Sequence, residues 1–143
     1  MTDHFSLREL THSLTAERSV IDNTPPDAVI QSLHFTAAGL ERIRALLSHP
    51  LYIRSGYRCQ ELNQLVGGSK NSQHMKGEAA DFTCIDFGSP RNVAKYLERH
   101  VMILGIDQLI YEGTWVHVSF TLNPRYEVLT LQDRKYVRGI VGV

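Results

Sequence analysis

Ser72-Gln73-His74-Met75-Lys76-Gly77-Glu78-Ala79-Ala80-Asp81-Phe82-Thr83-Cys84 passes from a polar loop into an apolar strand, and it carries a charged residue into that strand. A carboxylate flanked by Ala79, Ala80 and Phe82 has to be paired, hydrogen-bonded or metal-bound, because an isolated buried charge is very costly. Gly77 lets the chain turn back, so that the His74 and Asp81 side chains converge. A second stretch, Trp115-Val116-His117-Val118-Ser119-Phe120, alternates strictly. Val116, Val118 and Phe120 fall on one face, which is core; Trp115, His117 and Ser119 fall on the other, which reads as a pocket wall. Taken singly, a loop histidine is more often a solvated residue and a buried aspartate more often a structural hydrogen-bonder. On residue type alone, both readings of each group stay open.

Working outward, Ser6 with Glu9 is a capping-box pattern for a short helix through Leu10. Thr24-Pro25-Pro26-Asp27 opens a longer one: Thr24 is the expected cap, a proline suits the first turn, and Asp27 favours the positive helix end. Behind it Val29, Leu33, Leu40, Ile43 and Leu47 recur at amphipathic spacing, and Pro50 is the expected stop. Leu51 to Ile53 reads as a strand, 60–66 as a short helix ended by Gly67-Gly68, and 69–77 as loop. Ser89-Pro90 starts a helix in which Val93, Leu97 and Val101 share a face. Strands are expected at 108–112 and 115–120, joined at Gly113-Thr114, with more around 128–131 and 136–140. Helices come first and strands later without βαβ alternation, so the expected class is α+β, N-terminal helices on a small, mostly antiparallel sheet.

The 143 residues, 43% hydrophobic, suffice for one core. Fifteen basic and fifteen acidic residues cancel, which argues against a general nucleic-acid binder. No apolar run is long enough for a membrane span. The start, MTDHFSLREL, lacks a basic n-region and an apolar h-region, so a cytoplasmic location in the producing cell is expected. The state expected for so small and neutral a chain is a monomer. Two cysteines are too few for a disulfide scaffold. Alternation points Cys84 away from Asp81, making it a poor ligand and a poor nucleophile; a Cys59–Cys84 disulfide and two free thiols are both compatible with the sequence.

Two histidines and one aspartate make a three-ligand zinc set, and three protein ligands leave a fourth position open, as in catalytic sites. The pattern Ser72-x-His74-x-x-Gly77-x-Ala79-x-Asp81, followed by Trp115-x-His117, resembles the signature of the M15 zinc peptidases, the D-alanyl-D-alanine carboxypeptidase and phage endolysin group that shares a metal-site fold with the signalling domain of hedgehog proteins. The resemblance covers about residues 5–120, including Ser55-Gly56-Tyr57-Arg58 and Asn63. It implies a single zinc peptidase domain over residues 1–143 that cuts peptide bonds in the stem peptides of bacterial peptidoglycan. It also implies His74, Asp81 and His117 as zinc ligands, and Arg58 as the holder of a substrate carbonyl or terminal carboxylate.

One position departs from the family pattern. Many members carry the general base three residues before the last ligand histidine, and here that residue is Thr114. Glu112, five residues before His117 and across the tight turn, is the expected base, with Asp107 and Glu78 as alternatives. Ser72 and Ser119 are candidates to orient the ligands. The rival readings are a non-catalytic zinc-binding recognition module, as among the hedgehog relatives, and a purely structural zinc. An enzyme without a secretory signal fits a phage or prophage lysis function, acting on the wall after release.

Overall fold

The computed structural model describes residues 1–142, and its fold is α+β, as the sequence predicts. The first short helix, α1 (Leu7–Thr11), has the expected capping box: the Ser6 hydroxyl accepts from the Glu9 amide while the Glu9 carboxylate accepts from the Ser6 amide. A second short helix, α2 (Leu14–Arg18), lies in what reads as a polar connection; Ser13 caps it by accepting from the Ala16 amide. The long helix α3 (Asp27–Leu47) starts at an N-cap of Pro26, not Thr24, whose amide and hydroxyl both turn back to Asp22 instead. It ends before Pro50, at Ser48 in the left-handed conformation. Leu33, Ala37, Leu40, Ile43 and Leu47 form its buried stripe.

Strand β1 (Tyr52–Ser55) is followed by α4 (Gln60–Leu65), a 3-10 turn at Gln73–Lys76 and β2 (Ala79–Thr83). Ser89 caps α5 (Pro90–Glu98), which stops before Val101. Val101 instead starts α6 (Val101–Leu104) and is still buried. The remaining strands are β3 (Gln108–Tyr111), β4 (Val116–Ser119), β5 (Glu127–Gln132) and β6 (Lys135–Arg138). They form one six-stranded sheet in the order β1-β2-β4-β3-β5-β6. Only the β3–β5 pairing is parallel.

Strand alternation divides the sheet into two chemistries. Ala80, Phe82, Leu109, Val116 and Val118 join Leu40 and Ile43 of α3 and Val93 and Leu97 of α5 in one hydrophobic cluster. At roughly 25 cal/mol per Å² of apolar surface, that face supplies the main driving force for folding. The opposite face carries Asp81, His117, Ile110 and Leu129, which are successive register partners across β2, β4, β3 and β5. Pairing in register points partners to the same side, so the sheet itself lays an acid, an imidazole and two aliphatic side chains in one row. Among the described residues no helix is long and apolar enough to cross a membrane.

Candidate metal centre

The cleft on that second face has a volume of about 1010 Å³, and Arg58, His74, Asp81, Glu112, His117 and Tyr136 are among the residues lining it. His74 reaches it from the 3-10 turn. The Ser72 hydroxyl caps this turn by accepting from the His74 amide, and Gly77, at φ 73°, ends it in the left-handed region that glycine tolerates best. The imidazole is held from behind: His74 Nδ1 lies 2.7 Å from the Gly56 carbonyl oxygen. A carbonyl only accepts, so Nδ1 carries a proton, and in the neutral ring Nε2 presents its lone pair to the cleft. The Arg58 amide donates to the His74 carbonyl at 3.1 Å, so the segment after β1 grips both the ring and the backbone of this residue. Gly56 has no substitute there, because a Cβ would collide with the Leu10 backbone of α1. The capped first helix is thus connected through one close contact to the orientation of His74.

Asp81 Oδ1 sits 3.3 Å from His74 Nε2 and 2.9 Å from His117 Nδ1, and the two rings meet edge-on with centroids 5.1 Å apart. All three side chains are buried, at 3% exposure for His74, 6% for Asp81 and 8% for His117. Burial works to raise the pKa of Asp81; with the imidazoles protonated, the charge of His74 and the hydrogen bonds from both rings overcome it and hold the carboxyl well below the usual carboxylate range. Burial likewise opposes charge on His117, but the hydrogen bond and charge of Asp81, with Glu112 adding to them, lift its pKa above the ordinary histidine value.

One donor atom from each of the three lies within 4.8 Å of the others. Donors at about 2.0–2.2 Å from a tetrahedral ion sit about 3.3–3.6 Å from one another, so this group fits a divalent cation such as zinc with little movement. Two imidazoles and a carboxylate are also the donor chemistry that zinc takes.

Around this group, Arg58 Nη2 donates to the Ser72 hydroxyl at 3.3 Å, and Arg58 Nε is buried with no protein partner. Burial lowers the pKa of the guanidinium, against the pull of Asp81 and Glu112. Glu112 lies just past β3, at the turn into β4, where its Oε1 accepts from Trp115 Nε1 at 2.7 Å. Trp115 is therefore a half-buried partner of Glu112 on the cleft wall and not a core residue.

The other expectations fare differently. Asp107, an alternative base, is 1% exposed, and its carboxylate accepts from Gln73, Ser119 and three donors of Arg125. Burial would raise its pKa, but these donors hold it well below the usual carboxylate range, so it is engaged in the fold. Glu78 accepts from Gln73 at 3.3 Å. Ser119 spends its hydroxyl on Asp107 at 2.9 Å rather than on either candidate ligand. Both cysteines are free thiols, which excludes the Cys59–Cys84 disulfide; burial pushes the Cys84 thiol up, and its Sγ approaches the His49 carbonyl on the helix side of the sheet. Sequence reasoning misses Arg125 and Gln73. A buried Asp107 demands a partner, but no local spacing points to an arginine in the connection before β5.

The fold is thus an α+β one in which the sheet and a 3-10 turn bring a buried imidazole–carboxylate–imidazole group, able to hold a divalent metal ion, to the base of an open cleft. A family profile described as peptidase M15 matches residues 3–119, and the chain belongs to the peptidase M15 family, a family of metallopeptidases. No curated protein sequence gives a significant match to it.

Proposed function

We propose that this chain is a zinc-dependent peptidase that hydrolyses peptide bonds in the stem peptides of bacterial peptidoglycan, as a carboxypeptidase or endopeptidase of the endolysin type. The observation that carries the reading is the convergence of His74, Asp81 and His117 under a cleft that also receives Glu112 and Arg58. In this reading His74 through Nε2, Asp81 through its carboxylate and His117 through a ring nitrogen hold the ion. Zinc, when bound, supplies Lewis acidity that lowers the pKa of water toward about 7 and polarises a carbonyl.

Glu112 acts as the base. Trp115 fixes its Oε1, which leaves Oε2 to take a proton from the attacking water and to return it to the leaving amine. Asp107 lacks a free electron pair for that task, which supports Glu112 over it. Arg58 offers donors from a half-buried guanidinium to a substrate carbonyl or carboxylate, and its unpartnered Nε is in keeping with a ligand there. Because the cleft crosses the strands, a peptide entering past Arg58 beside β1 meets the candidate ligands on β2 and β4. Further on it meets the aliphatic wall of Leu129 and Leu131 on β5. One hydrophobic cluster running from Phe5 to Ile140 supports treating residues 1–143 as one domain. In this reading the domain works as a monomer on the wall after release from the cell that makes it.

The experiment is digestion of purified peptidoglycan by the wild type and by Glu112→Gln, with and without a zinc chelator, and with products read by mass spectrometry. A new peptide end that disappears with chelator, and with Glu112→Gln at full zinc occupancy, is expected. Zinc bound with no product from several wall types would instead favour the recognition module. Full activity in Glu112→Gln would remove that residue as the base.

A further inference from the structure

Resting on the reading of His74 as a metal ligand, we propose that the pair of buried Asp107 and half-exposed Arg125 is a positioning device for that ligand, acting through Gln73, and that Arg125 thereby makes the segment beyond residue 119 part of the metal centre. Gln73 immediately precedes His74 and opens the 3-10 turn. Both ends of its amide are held. Nε2 donates to Asp107 Oδ2 at 3.0 Å and to Glu78 Oε1 at 3.3 Å, while Oε1 accepts from Arg125 Nη2 at 3.2 Å. A flipped amide would set its oxygen against two carboxylates and its NH2 against a guanidinium, so only one orientation satisfies every group. The backbone of the same residue is closed by the Glu78 amide, which donates to the Gln73 carbonyl at 3.0 Å.

Arg125 is itself fixed from three directions by one carboxylate. Its amide and Nε donate to Asp107 Oδ1 at 2.9 and 3.0 Å, and Nη2 donates to Oδ2 at 2.8 Å. The Arg125 side chain is 53% exposed, and its contact with Glu127 is long, at 3.9 Å. Half-exposed ion pairs add little stability. The distinctive feature of this one is its geometry. Asp107 just before β3, Ser119 at the end of β4 and Arg125 before β5 meet at the residue beside His74, and all but Arg125 lie inside the stretch matched to the family. A ligand presented on a short turn with no long helix or strand beneath it needs such support, since productive metal geometry tolerates only about 0.5 Å of error.

The test measures zinc affinity by competition with a chromophoric chelator, and the visible spectrum of the cobalt(II) form. It does so in the wild type, Arg125→Met, Gln73→Leu and the double variant, alongside thermal melts of the metal-free proteins. Outer partners of metal ligands are worth about 10–100-fold in affinity. Each single variant is expected to lose zinc affinity on that scale and to show an altered cobalt spectrum, with the double variant no worse than either. A lower melting temperature with zinc affinity and cobalt spectrum unchanged would make the pair merely structural and overturn the inference, as would additive losses. Should Arg125→Met fail to fold, Gln73→Leu decides alone, because it leaves the Asp107–Arg125 pair intact. A wild type that binds neither ion overturns the metal reading and this inference together; wild-type binding with unchanged variants overturns the inference only.

Discussion

Asp107→Asn tests how much of the fold rests on a single buried charge. The carboxylate is 1% exposed and accepts five hydrogen bonds: Oδ2 from Gln73 Nε2 at 3.0 Å, Ser119 Oγ at 2.9 Å and Arg125 Nη2 at 2.8 Å, and Oδ1 from the Arg125 amide at 2.9 Å and Nε at 3.0 Å. An asparagine amide must turn its NH2 toward one of these sets. Facing the first set, it opposes Gln73 Nε2 and Arg125 Nη2, although the Ser119 hydroxyl can rotate to accept. Facing the second, it opposes two donors of Arg125. At least two hydrogen bonds are lost either way, and bonds to a charged group are worth about 1.5–3 kcal/mol each. The half-exposed guanidinium recovers part of that by rehydrating, which brings the expected loss to about 2–4 kcal/mol.

In a chain of this length about 1 kcal/mol moves the melting temperature by about 2–4 °C, so a drop of about 4–16 °C is expected in metal-free protein at pH 7. Glu127→Gln, which removes the charge behind the 3.9 Å contact to the same arginine and keeps an amide oxygen to accept from Gln108 Nε2, is the control and should cost under about 1 kcal/mol. The pH dependence carries a sign. The folded-state pKa of Asp107 is lowered from the ordinary 3.8, so its contribution is present above that value and is lost as pH falls through the folded pKa. The gap between wild type and Asp107→Asn should therefore close as the pH drops below 3.8. Urea denaturation across pH 2.5 to 7 reads this directly. A variant within about 0.5 kcal/mol of wild type at pH 7 would refute the reasoning, since that is the scale of an ordinary surface change.

Gly56→Ala drives a Cβ into the Leu10 backbone and displaces the carbonyl that holds His74 Nδ1. Overpacking of this kind costs about 1–3 kcal/mol, and zinc affinity by chelator competition should fall with it; unchanged affinity would show that the Gly56 carbonyl does not orient the ring. The metal-free protein should also lose stability as pH rises above 6.5, because the folded-state pKa of His117 is raised and its contribution is complete below the unfolded value and lost above the folded one. Zinc at about 100 times its dissociation constant should add about 2.7 kcal/mol and abolish that alkaline loss, so equal slopes with and without zinc would contradict it. Chelation should lower the melting temperature yet leave a folded protein, since Phe5 to Ile140 form a core that owes nothing to a metal; unfolding on chelation, read by circular dichroism, would favour the structural-zinc reading.

Local chemistry made much of this molecule legible before its coordinates. The Ser6–Glu9 capping box, the stripe from Leu33 to Leu47, and the alternation of 115–120 each follow from the spacing of side chains along one element, and each stands in the structure. An aspartate inside an apolar strand already announces a partner, and the strand period already places His117 on the face opposite Val116 and Val118. What failed lies where two local signals competed. Thr24 has the chemistry of a cap, but Asp22 two residues away takes its hydroxyl and amide, and the prolines then set the helix start two residues later. Ser13 and Ala16 begin a helix too short to show periodicity.

The sequence by itself therefore determined the α+β class and the buried stripe, because helical and strand periods are properties of neighbouring residues, while it singled out His74, Asp81 and His117 through a motif that resembles a family signature. Only the tertiary structure decided the strand order that sets Asp81 beside His117, the Gly56 carbonyl that receives the His74 Nδ1 proton, and the union of Asp107, Gln73 and Arg125. Those are contacts between segments far apart in the chain. Which partner a buried carboxylate finds depends on how whole elements pack, and no spacing along the sequence encodes it.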